Sequence, residues 1–430
     1  MAETLADIAI LGGGASGAVT AANLMRKGFL GGLAIVSRES AVGQGIAYGT
    51  REMCHLLNVR ASNMSAFADT PTDFVDWLTA SGCEVEGLAQ TFQPRAVYGR
   101  YVRDRLEQAM HTSACRFTPI HGEAVGISRG EDGIRIELAN GDSIVAKKVV
   151  LALGNLAPYA PRECQGLLGS DGWVPIPWAD GALDRVEETD DVLILGTGLT
   201  MVDLVLSLRS QGHRGRIYAR SRHGLMPQRH APAGASPVEP PKTVKELIDG
   251  CREAGQGWRA VIDSIRASTP HLWGELSWKE RQRLLWRLMP YWNVARHRMP
   301  PEVADAIEGL VERGTLDLGA GTVISATETN GWIWVQFNSG PVRVKHFINA
   351  TGPSCNWKQA KVPLVESAVL NGLAELDPLG QGVLVDEEGR TDPTGEILAI
   401  GPICRGCRLE TTAMPEIRVQ ADRAAELLLA

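Results

Sequence analysis

Residues 8–17 read Ile-Ala-Ile-Leu-Gly-Gly-Gly-Ala-Ser-Gly, an apolar run that stops at the pattern Gly12-x-Gly14-x-x-Gly17. A helix-like segment follows over residues 18–26. In a βαβ unit the first glycine permits a tight turn, the second lets the backbone approach a pyrophosphate, and the third lets helix and strand pack closely. Free N–H groups at the helix N-terminus favour the phosphates. The stretch therefore predicts a dinucleotide site, with a glycine turn that only packs as the alternative.

The next two segments extend this prediction. A second strand-like run at residues 33–36 ends close to Glu39, where a carboxylate is expected to contact a ribose. Residues 43–49 are too rich in glycine for a regular element, and their small side chains would let a flat cofactor ring approach closely. An ordinary surface loop is the alternative for this stretch.

The composition excludes several classes of protein. A chain of 430 residues is long enough for two or three domains, and its 44% hydrophobic and 22% charged residues are ordinary for a globular protein. A net charge of −7 gives no electrostatic basis for binding nucleic acid. We find no apolar run long enough to span a membrane and no secretory signal. Eight cysteines at this length suit a reducing cytosol, so a cytoplasmic location is expected.

The opening pattern returns in the middle of the chain. A strand-like run at residues 191–195 leads into Gly196-x-Gly198, and a helix-like segment follows. Met201 stands where the third glycine would be, so the match is looser. Two such turns predict two dinucleotides, and a nicotinamide paired with a flavin is the natural combination for electron transfer.

Two arginines end the strand that follows the second turn. Arg220 and Arg222 stand where a carboxylate would favour a free ribose hydroxyl. Arginine instead favours a 2′-phosphate through paired hydrogen bonds. We therefore expect NADPH rather than NADH, with two solvated arginines on a loop as the alternative.

Three later strand-like runs also end in glycine. They stop at Gly154, at Gly352 and at Gly401. The last run is expected to complete the first domain, which would make that domain discontinuous. Residues 243–310 show helical spacing of apolar residues and contain a cluster of tryptophans.

The predicted fold class is α/β. It comprises two Rossmann-like dinucleotide-binding domains, in which an NADPH domain is inserted into a discontinuous FAD domain, plus a helical Trp-rich insertion. The predicted boundaries are 1–185 for the first part of the FAD domain, 186–235 for the first part of the NADPH domain, 236–310 for the helical insertion or lid, 311–345 for the return of the NADPH domain, and 346–430 for the C-terminal part of the FAD domain.

Two further patches carry possible chemistry. Residues 291–298 form the densest polar and aromatic patch, which either lines a substrate pocket or packs between helices. Cys404 and Cys407 form a CxxC pair just after Gly401, and such a pair can exchange electrons with a flavin. A metal site would need further ligands that Cys355 alone does not supply, so no metal is expected.

Taken together, the motifs resemble those of the bacterial FAD-NAD(P)-binding proteins, a family related to class B flavin monooxygenases and N-hydroxylating amino-acid monooxygenases. The resemblance extends over essentially the whole chain. It rests on GGGASG (12–17), GIAYGT (45–50), HLLN (55–58), LGTGLTMVD (195–203), SRHGLMP (221–227), RHRMPP (296–301), GP (401–402) and ETTAMPEIR (410–418).

The resemblance implies a set of cofactor contacts. It implies an FAD pyrophosphate at Gly12, Gly14, Ser16 and Gly17, a ribose near Glu39, and a flavin ring near Gln44, Tyr48 and Asn58. It implies NADPH at Gly196, Gly198, Thr200, Arg220 and Arg222. We also expect cofactor contacts from Val125, Gly154, Gly401 and Thr412.

The implied activity is that of a flavin monooxygenase acting on a small nucleophilic metabolite. NADPH would reduce FAD, and reduced FAD would react with O2 to a peroxyflavin that transfers one oxygen atom. Arg296, His297 and Arg298 are candidates for binding an anionic substrate or the nicotinamide, and the helical segment is a candidate lid. Neither nucleic acid nor a membrane is expected as a partner.

Two departures and two alternatives accompany this prediction. Pro402 stands where many two-nucleotide flavoproteins have an acidic residue, so backbone groups would have to serve there. Residues 173–178 lack the fingerprint of Baeyer–Villiger enzymes, so that chemistry is not expected. The alternatives are an NADPH reductase, possibly acting on disulfides through Cys404 and Cys407, and a non-catalytic redox sensor.

Overall fold

The computed structural model describes residues 2–231, 238–254 and 257–430. The predicted boundary between residues 235 and 236 lies outside the described residues. Two mainly parallel sheets, a small antiparallel sheet and a helical layer make up the described part of the chain. None of the helices in these ranges is both long and apolar enough to cross a membrane.

The strands and α-helices of the described residues are numbered separately in chain order. The strands are β1 (Glu3–Leu11), β2 (Gly32–Ser37), β3 (Arg116–His121), β4 (Ala124–Arg129), β5 (Ile134–Leu138), β6 (Ser143–Leu151), β7 (Trp173–Val174), β8 (Val192–Leu195), β9 (Ile217–Ser221), β10 (Leu316–Ala320), β11 (Val323–Thr329), β12 (Trp332–Phe337), β13 (Gly340–Val344), β14 (His346–Asn349) and β15 (Ile397–Ala399). The helices are α1 (Ala15–Arg26), α2 (Gly45–Tyr48), α3 (Asp73–Ala80), α4 (Arg95–Thr112), α5 (Leu199–Ser210), α6 (Val244–Glu253), α7 (Trp258–Ser264), α8 (Thr269–Gly274), α9 (Trp278–Arg287), α10 (Met289–Arg296), α11 (Pro301–Glu312), α12 (Trp357–Ala360), α13 (Pro363–Leu370) and α14 (Met414–Leu429).

The first sheet has the strand order β3-β2-β1-β6-β5-β4. Strands β1, β2 and β6 are parallel, and their apolar runs are buried because α1, α4 and α14 cover one face while α13 packs on the other. The turn at Asn140–Gly141 joins β5 and β6 as an antiparallel pair, as its sequence predicts. Ala399 of β15 lies opposite Leu151 of β6, so the C-terminal part of the chain completes the first sheet.

The second sheet has the order β10-β9-β8-β14-β7, and all its strands are parallel. It includes β7, which precedes residue 186, and β14, which follows residue 345. The predicted domain boundaries placed both strands in the first domain, and the sheet pairing places them in the second. The physical reason is that β14 and β6 share one pattern, a buried apolar run that ends near a glycine. That pattern identifies a central parallel strand but carries no information about which sheet contains it.

The tryptophan-rich region is helical as predicted, and it connects the two domains. Helix α11 buries Ile307 in the core of the second domain. Helices α8 to α10 instead reach the C-terminal part of the first domain, where the Trp273 indole N–H donates to the Gly406 carbonyl at 2.9 Å. The helical layer therefore lies across the space between the two sheets.

A buried polar cluster also joins the two dinucleotide domains. Arg95 at the start of α4 forms an ion pair with Asp203 of α5 at 2.9 Å. The His55 ring nitrogen Nε2 lies 2.7 Å from the Ser207 hydroxyl of the same helix. These contacts fix the first domain against the helix that follows the second glycine turn.

Candidate nucleotide and substrate site

The first glycine turn has the geometry that its sequence predicts. Gly12 has φ +120°, and a Cβ atom on it would lie 2.1 Å from the Ala152 carbonyl oxygen. A Cβ on Gly17 would lie 2.0 Å from the Gly12 carbonyl oxygen. Both positions therefore require glycine, one for the turn itself and one for close packing of α1 against it.

The second glycine of this turn stands at the N-terminus of α1, where a side chain would lie against Gly45. Gly14 is the N-cap of the helix, no side chain caps it, and the nearest atom to a Cβ there is 3.6 Å away. The first N–H groups of a helix have no partner within the helix, and the helix dipole adds positive potential. The turn therefore forms an anion cradle that fits a pyrophosphate.

The C-terminal segment meets this cradle. Gly401 follows β15 with φ +75°, and a Cβ on it would lie 3.2 Å from the Ser16 hydroxyl oxygen. The Gly401 N–H donates to the Gln420 side chain at 2.9 Å, and the Thr411 hydroxyl donates to the Gly401 carbonyl at 2.9 Å. Gly154, with φ +69°, lies just beyond the end of β6, the strand next to β15. The glycines that end the two strands and the N-terminus of α1 therefore meet at one edge of the sheet.

Glu39, expected near a ribose, lies just after β2, and Val125, expected to contact a cofactor, lies on β4. Glu39 is exposed there. The Gly122 N–H donates to the Ser37 carbonyl at 2.8 Å, which brings the start of β4 beside the end of β2. Val125 lies at an irregularity in the β4–β5 pairing. The fold thus brings Glu39 and Val125 into one region although they are distant in sequence.

The glycine-rich stretch at 43–49, expected to be irregular, contains the single turn of α2. The Gly43 N–H donates to the Gly13 carbonyl at 2.8 Å, so this stretch folds back over the first glycine turn. Positive φ angles at Gly43 and Gly45 make that reversal possible. Gln44 is the N-cap residue of α2, and the Tyr48 ring packs edge-on against Tyr98 with centroids 4.7 Å apart.

Asn58 lies on a different segment from Gln44 and Tyr48. Its carbonyl oxygen is 3.0 Å from the His230 ring nitrogen Nε2.

Burial raises the pKa of Tyr48 to about 12, so its phenol stays neutral at physiological pH.

The second glycine turn repeats the geometry of the first. Gly196 has φ +119°, and a Cβ on it would lie 2.1 Å from the Ala350 carbonyl oxygen. Gly198 is the N-cap of α5 and would have no atom within 4 Å of a Cβ. Met201 is fully buried in the core of the second domain, so the close contact made by Gly17 has no counterpart here. The second turn is therefore also an open cradle for phosphate.

The structure gives different surroundings to the two arginines at and just after the end of β9. Arg220 forms an ion pair with Asp317 of β10 at 2.9 Å and also donates to the Asp317 carbonyl at 2.7 Å. Its side chain is therefore engaged in the sheet. Arg222 is exposed and lines the cavity at the second turn, and no ion pair or hydrogen bond engages its guanidinium within the described ranges.

A cavity of about 760 Å³ opens beside the second glycine turn. The residues that line it include the turn at 196–200 (with Thr200), parts of helices α9 and α10, the loops at 221–227 and 350–352, and the C-terminal segment that carries Arg405, Glu410 and Thr412. This volume is typical of sites for small molecules and cofactors. Gln44, Tyr48 and Asn58 are not among the residues that line it.

The three candidate residues of the patch at 291–298 have different surroundings. His297 lines the cavity. Arg296 lies behind it and pairs with Glu410 at 3.4 Å. Arg298 is only 2% exposed and pairs with Asp263 of α7 at 2.9 Å, so it ties α10 to α7 away from the cavity. His297 therefore lines a pocket, as one alternative for this patch predicted, and Arg298 packs between helices, as the other predicted.

Burial is the main cause that lowers the pKa of His297 below its ordinary value. Glu410 opposes this shift, whereas Arg296 and Arg405 add to it. The imidazole is therefore neutral at physiological pH.

The sequence did not identify Glu410 as a site residue. It is only 7% exposed, lines the cavity, and accepts a hydrogen bond from the Trp292 indole at 3.1 Å. The one signal for it was its position at the start of the motif at 410–418. Arg405 was not predicted either, because the only motif at 404–407 is the spacing of its two cysteines.

Residues 9–156 match the sequence profile of the family described as FAD-NAD(P)-binding, which confirms the predicted resemblance over that range. No match was found among curated proteins.

Solved structures identify the fold of the whole chain. The ornithine N-hydroxylase KtzI of Kutzneria sp. 744, solved with reduced FAD, NADP+ and L-ornithine, superposes with a TM-score of 0.70 at 16% identity over 99% of both chains. The L-lysine 6-monooxygenase of Pseudomonas syringae superposes with a TM-score of 0.68 at 16% identity over 99% of both chains. The chain has the fold of the N-hydroxylating monooxygenases. The predicted fold class is thereby confirmed.

The same fold also occurs in reductases. The bacillithiol disulfide reductase of Staphylococcus aureus superposes with a TM-score of 0.61 at 14% identity, covering 100% of this chain and 99% of that one. At these identities the superposition shows the fold alone. The distinction between oxygenation and disulfide reduction therefore depends on the site residues.

The cysteine pair does not have the surroundings of a redox dithiol. Cys404 is fully buried in the core of the first domain, and burial raises its pKa to about 12. Cys407 accepts a hydrogen bond from the Val385 N–H at 3.4 Å, and burial raises its pKa as well. Both thiols are free, and neither lines the cavity. Since the thiolate is the reactive form, these surroundings make both cysteines poor nucleophiles.

Proposed function

We propose that the protein is an FAD-dependent, NADPH-consuming monooxygenase that acts on a small nucleophilic metabolite. The observation that carries this proposal is the pair of open glycine cradles, each at the N-terminus of a helix. The C-terminal segment links them, because it meets the first cradle at Gly401 and lines the cavity of the second at Thr412. Two dinucleotides bound in this way would bring their reactive rings toward that segment.

The first cradle is the FAD site in this proposal. The pyrophosphate would be held by Gly12, Gly14, Ser16 and Gly17, since no side chain caps the N–H groups of α1. The other FAD contacts would come from Glu39 and Val125 at the adenosine end, from Gln44, Tyr48 and Asn58 near the ring, and from Gly154 and Gly401 at the edge of the sheet.

The second cradle is the NADPH site. Gly196, Gly198 and Thr200 would contact the phosphates, and Arg222 would bind the 2′-phosphate. The support for Arg222 is its exposed guanidinium, which faces the cavity and pairs with no carboxylate in the described part of the chain. Arg220 is not part of this proposal, because Asp317 already engages it.

When bound, the flavin accepts hydride from the nicotinamide and activates O2. The chain's own residues would position the substrate and exclude water. Helices α9 and α10 cover the cavity through Leu285, Met289 and Val294, and these apolar side chains would keep water from the reacting groups. His297, whose neutral ring lines the cavity, would contact the substrate or the nicotinamide.

The alternatives have less support. A disulfide reductase needs an accessible low-pKa thiol, whereas Cys404 and Cys407 are buried with raised pKa values. A non-catalytic sensor has no need of a cavity with a neutral histidine beside the second cradle. A cytoplasmic location stays a prediction.

The decisive experiment is anaerobic mixing of the purified, FAD-loaded protein with NADPH, followed by O2, while the flavin absorbance is recorded. We expect NADPH to bleach the flavin, and O2 then to produce a lasting spectrum that matches neither the oxidised nor the reduced cofactor. Immediate return to the oxidised spectrum with release of hydrogen peroxide, unchanged by any amine or thioether, would argue for an oxidase or reductase. A protein that binds no FAD would remove the basis of the proposal.

A further inference from the structure

The turn at residues 404–407 presents Arg405 to the cavity. Within the described residues, no hydrogen bond or ion pair engages the Arg405 guanidinium, and its Nε atom is buried without a partner. The nearby arginines differ, because Arg296 pairs with Glu410 and Arg298 with Asp263. A partly buried cation without a counter-charge is costly unless a ligand supplies one. Arg405 therefore marks a place for an anion.

The turn is held rigidly from two sides. The Gly406 carbonyl accepts hydrogen bonds from the Trp273 indole at 2.9 Å and from the Arg281 guanidinium at 3.3 Å, both from buried side chains of the helical layer. On its other side, a Cβ on Gly406 would lie 2.2 Å from the carboxyl carbon of Asp377. Only glycine fits there, so the backbone next to Arg405 has a fixed position. A fixed backbone lowers the entropy lost when the arginine binds a ligand.

The acidic group of the same segment that lines the cavity does not pair with Arg405. This group is Glu410, and it is already engaged by Arg296 and by the Trp292 indole. His297 is close enough for Arg405 to lower its pKa, and its ring is neutral. The Arg405 guanidinium is therefore available to an anion in the cavity.

We propose that Arg405 binds the carboxylate of the small-molecule substrate. The planar guanidinium matches a carboxylate with two parallel hydrogen bonds. The inference rests on the proposed function, because it assumes that a substrate enters this cavity beside NADPH. The substrate is favoured over the coenzyme phosphates by position. Arg405 lies on a different part of the cavity lining from the second glycine turn, where those phosphates would bind.

The first test measures binding without turnover. Calorimetric titration of the FAD-loaded protein, saturated with NADP+, would compare 5-aminopentanoate with its uncharged amide. We expect the wild-type protein to bind the carboxylate at least about tenfold more tightly, since charge-assisted hydrogen bonds have that strength. Arg405→Gln should abolish this preference, Arg405→Lys should keep part of it, and the exposed Arg283→Gln should leave it unchanged. A wild-type protein with no preference, or without detectable carboxylate binding, would overturn the proposal, as would an Arg405→Gln variant that keeps the preference.

The second test uses matched amines. L-Lysine and cadaverine differ by one carboxylate, as do L-ornithine and putrescine, and each would be scored by its stimulation of NADPH oxidation. We expect any stimulation to favour the amino acid, with the preference lost in Arg405→Gln. Stimulation that favours the diamine counts against Arg405.

Anaerobic reduction by NADPH separates the two proposals. Arg405→Gln should be reduced at the wild-type rate. Slow reduction of this variant alone would assign Arg405 to the nicotinamide and overturn the inference, whereas failure of the wild-type protein to be reduced would instead refute the proposed function.

Discussion

The two arginines at the end of β9 give a matched test of coenzyme choice. Arg220 lies in β9 and Arg222 directly follows the strand, yet Arg222 lines the cavity without a partner among the described residues and Arg220 is bound to Asp317. We predict that Arg222→Gln weakens the use of NADPH and leaves the use of NADH unchanged. Glutamine keeps the polarity and approximate length of the side chain but removes the charge that a 2′-phosphate would need.

The size of the effect follows from the contact. Hydrogen bonds from a charged group contribute about 1.5–3 kcal/mol, which corresponds to roughly tenfold to 150-fold in affinity. Because Arg222 is exposed, solvent screening places the effect near the lower end, and it should shrink as ionic strength rises. Arg220→Gln should leave the coenzyme ratio unchanged and instead lower the thermal midpoint, since it breaks a contact between β9 and β10.

The assay is stopped-flow reduction of the bound flavin under anaerobic conditions, with NADPH and NADH each varied in concentration for the wild-type protein and both variants. The ratio of the two second-order rate constants reports recognition of the 2′-phosphate directly. If Arg222→Gln kept the wild-type ratio, the assignment would be wrong. If Arg220→Gln alone changed that ratio, the ion pair with Asp317 would have to open when the coenzyme binds.

Three further predictions test the cradles, the cysteines and a buried histidine. Gly198→Ala should fold like the wild-type protein, because its Cβ would meet no atom, but it should bind NADP+ more weakly in calorimetry. Gly196→Ala should fold poorly, because its Cβ would overlap the Ala350 carbonyl. Replacing Cys404 and Cys407 together by Ser should leave the rate of flavin reduction by NADPH unchanged while lowering the thermal midpoint; a large loss of that rate would revive the dithiol hypothesis. Burial lowers the pKa of His230 to about 4 in the folded protein, whereas the unfolded histidine has a pKa of about 6.5. Between these two pH values the unfolded chain binds a proton that the folded chain does not. The free energy of unfolding should therefore fall as the pH drops through this window. The decrease should reach at most about 3 kcal/mol and be smaller in His230→Gln, as measured by urea unfolding at several pH values.

Much of the fold could be predicted because the decisive signals are local. The glycines at 12 and 17 are forced by contacts within 3 Å of backbone atoms, and an apolar run before such a turn specifies a buried parallel strand. The membership of β14 in the second sheet could not be predicted in the same way. Its pairing with β8 depends on a long-range choice between two similar sheets, and no residue of the strand records that choice.

The candidate site was only partly predictable for a related reason. The second glycine turn and His297 were expected from motifs, and the structure brings both to one cavity. The place of Glu410 in the site could not be predicted, because it depends on the packing of the C-terminal segment against α10. A motif reports residue types at a spacing, whereas the surroundings of each side chain depend on elements far away in sequence.

The arginines near the cavity differ in whether a carboxylate pairs with them. Arg298 and Arg220 are prominent in the sequence, but each is engaged by a carboxylate of a neighbouring element and has a structural explanation. Arg222 and Arg405 line the same cavity with guanidinium groups that no group in the described residues engages. Because an unpaired cation beside an enclosed cavity gains stability when an anion binds, these two residues are expected to contact ligands. The structure therefore predicts two anionic groups in the cavity, a coenzyme phosphate at Arg222 and a substrate carboxylate at Arg405, and an Arg222→Gln/Arg405→Gln double variant should lose the two preferences independently.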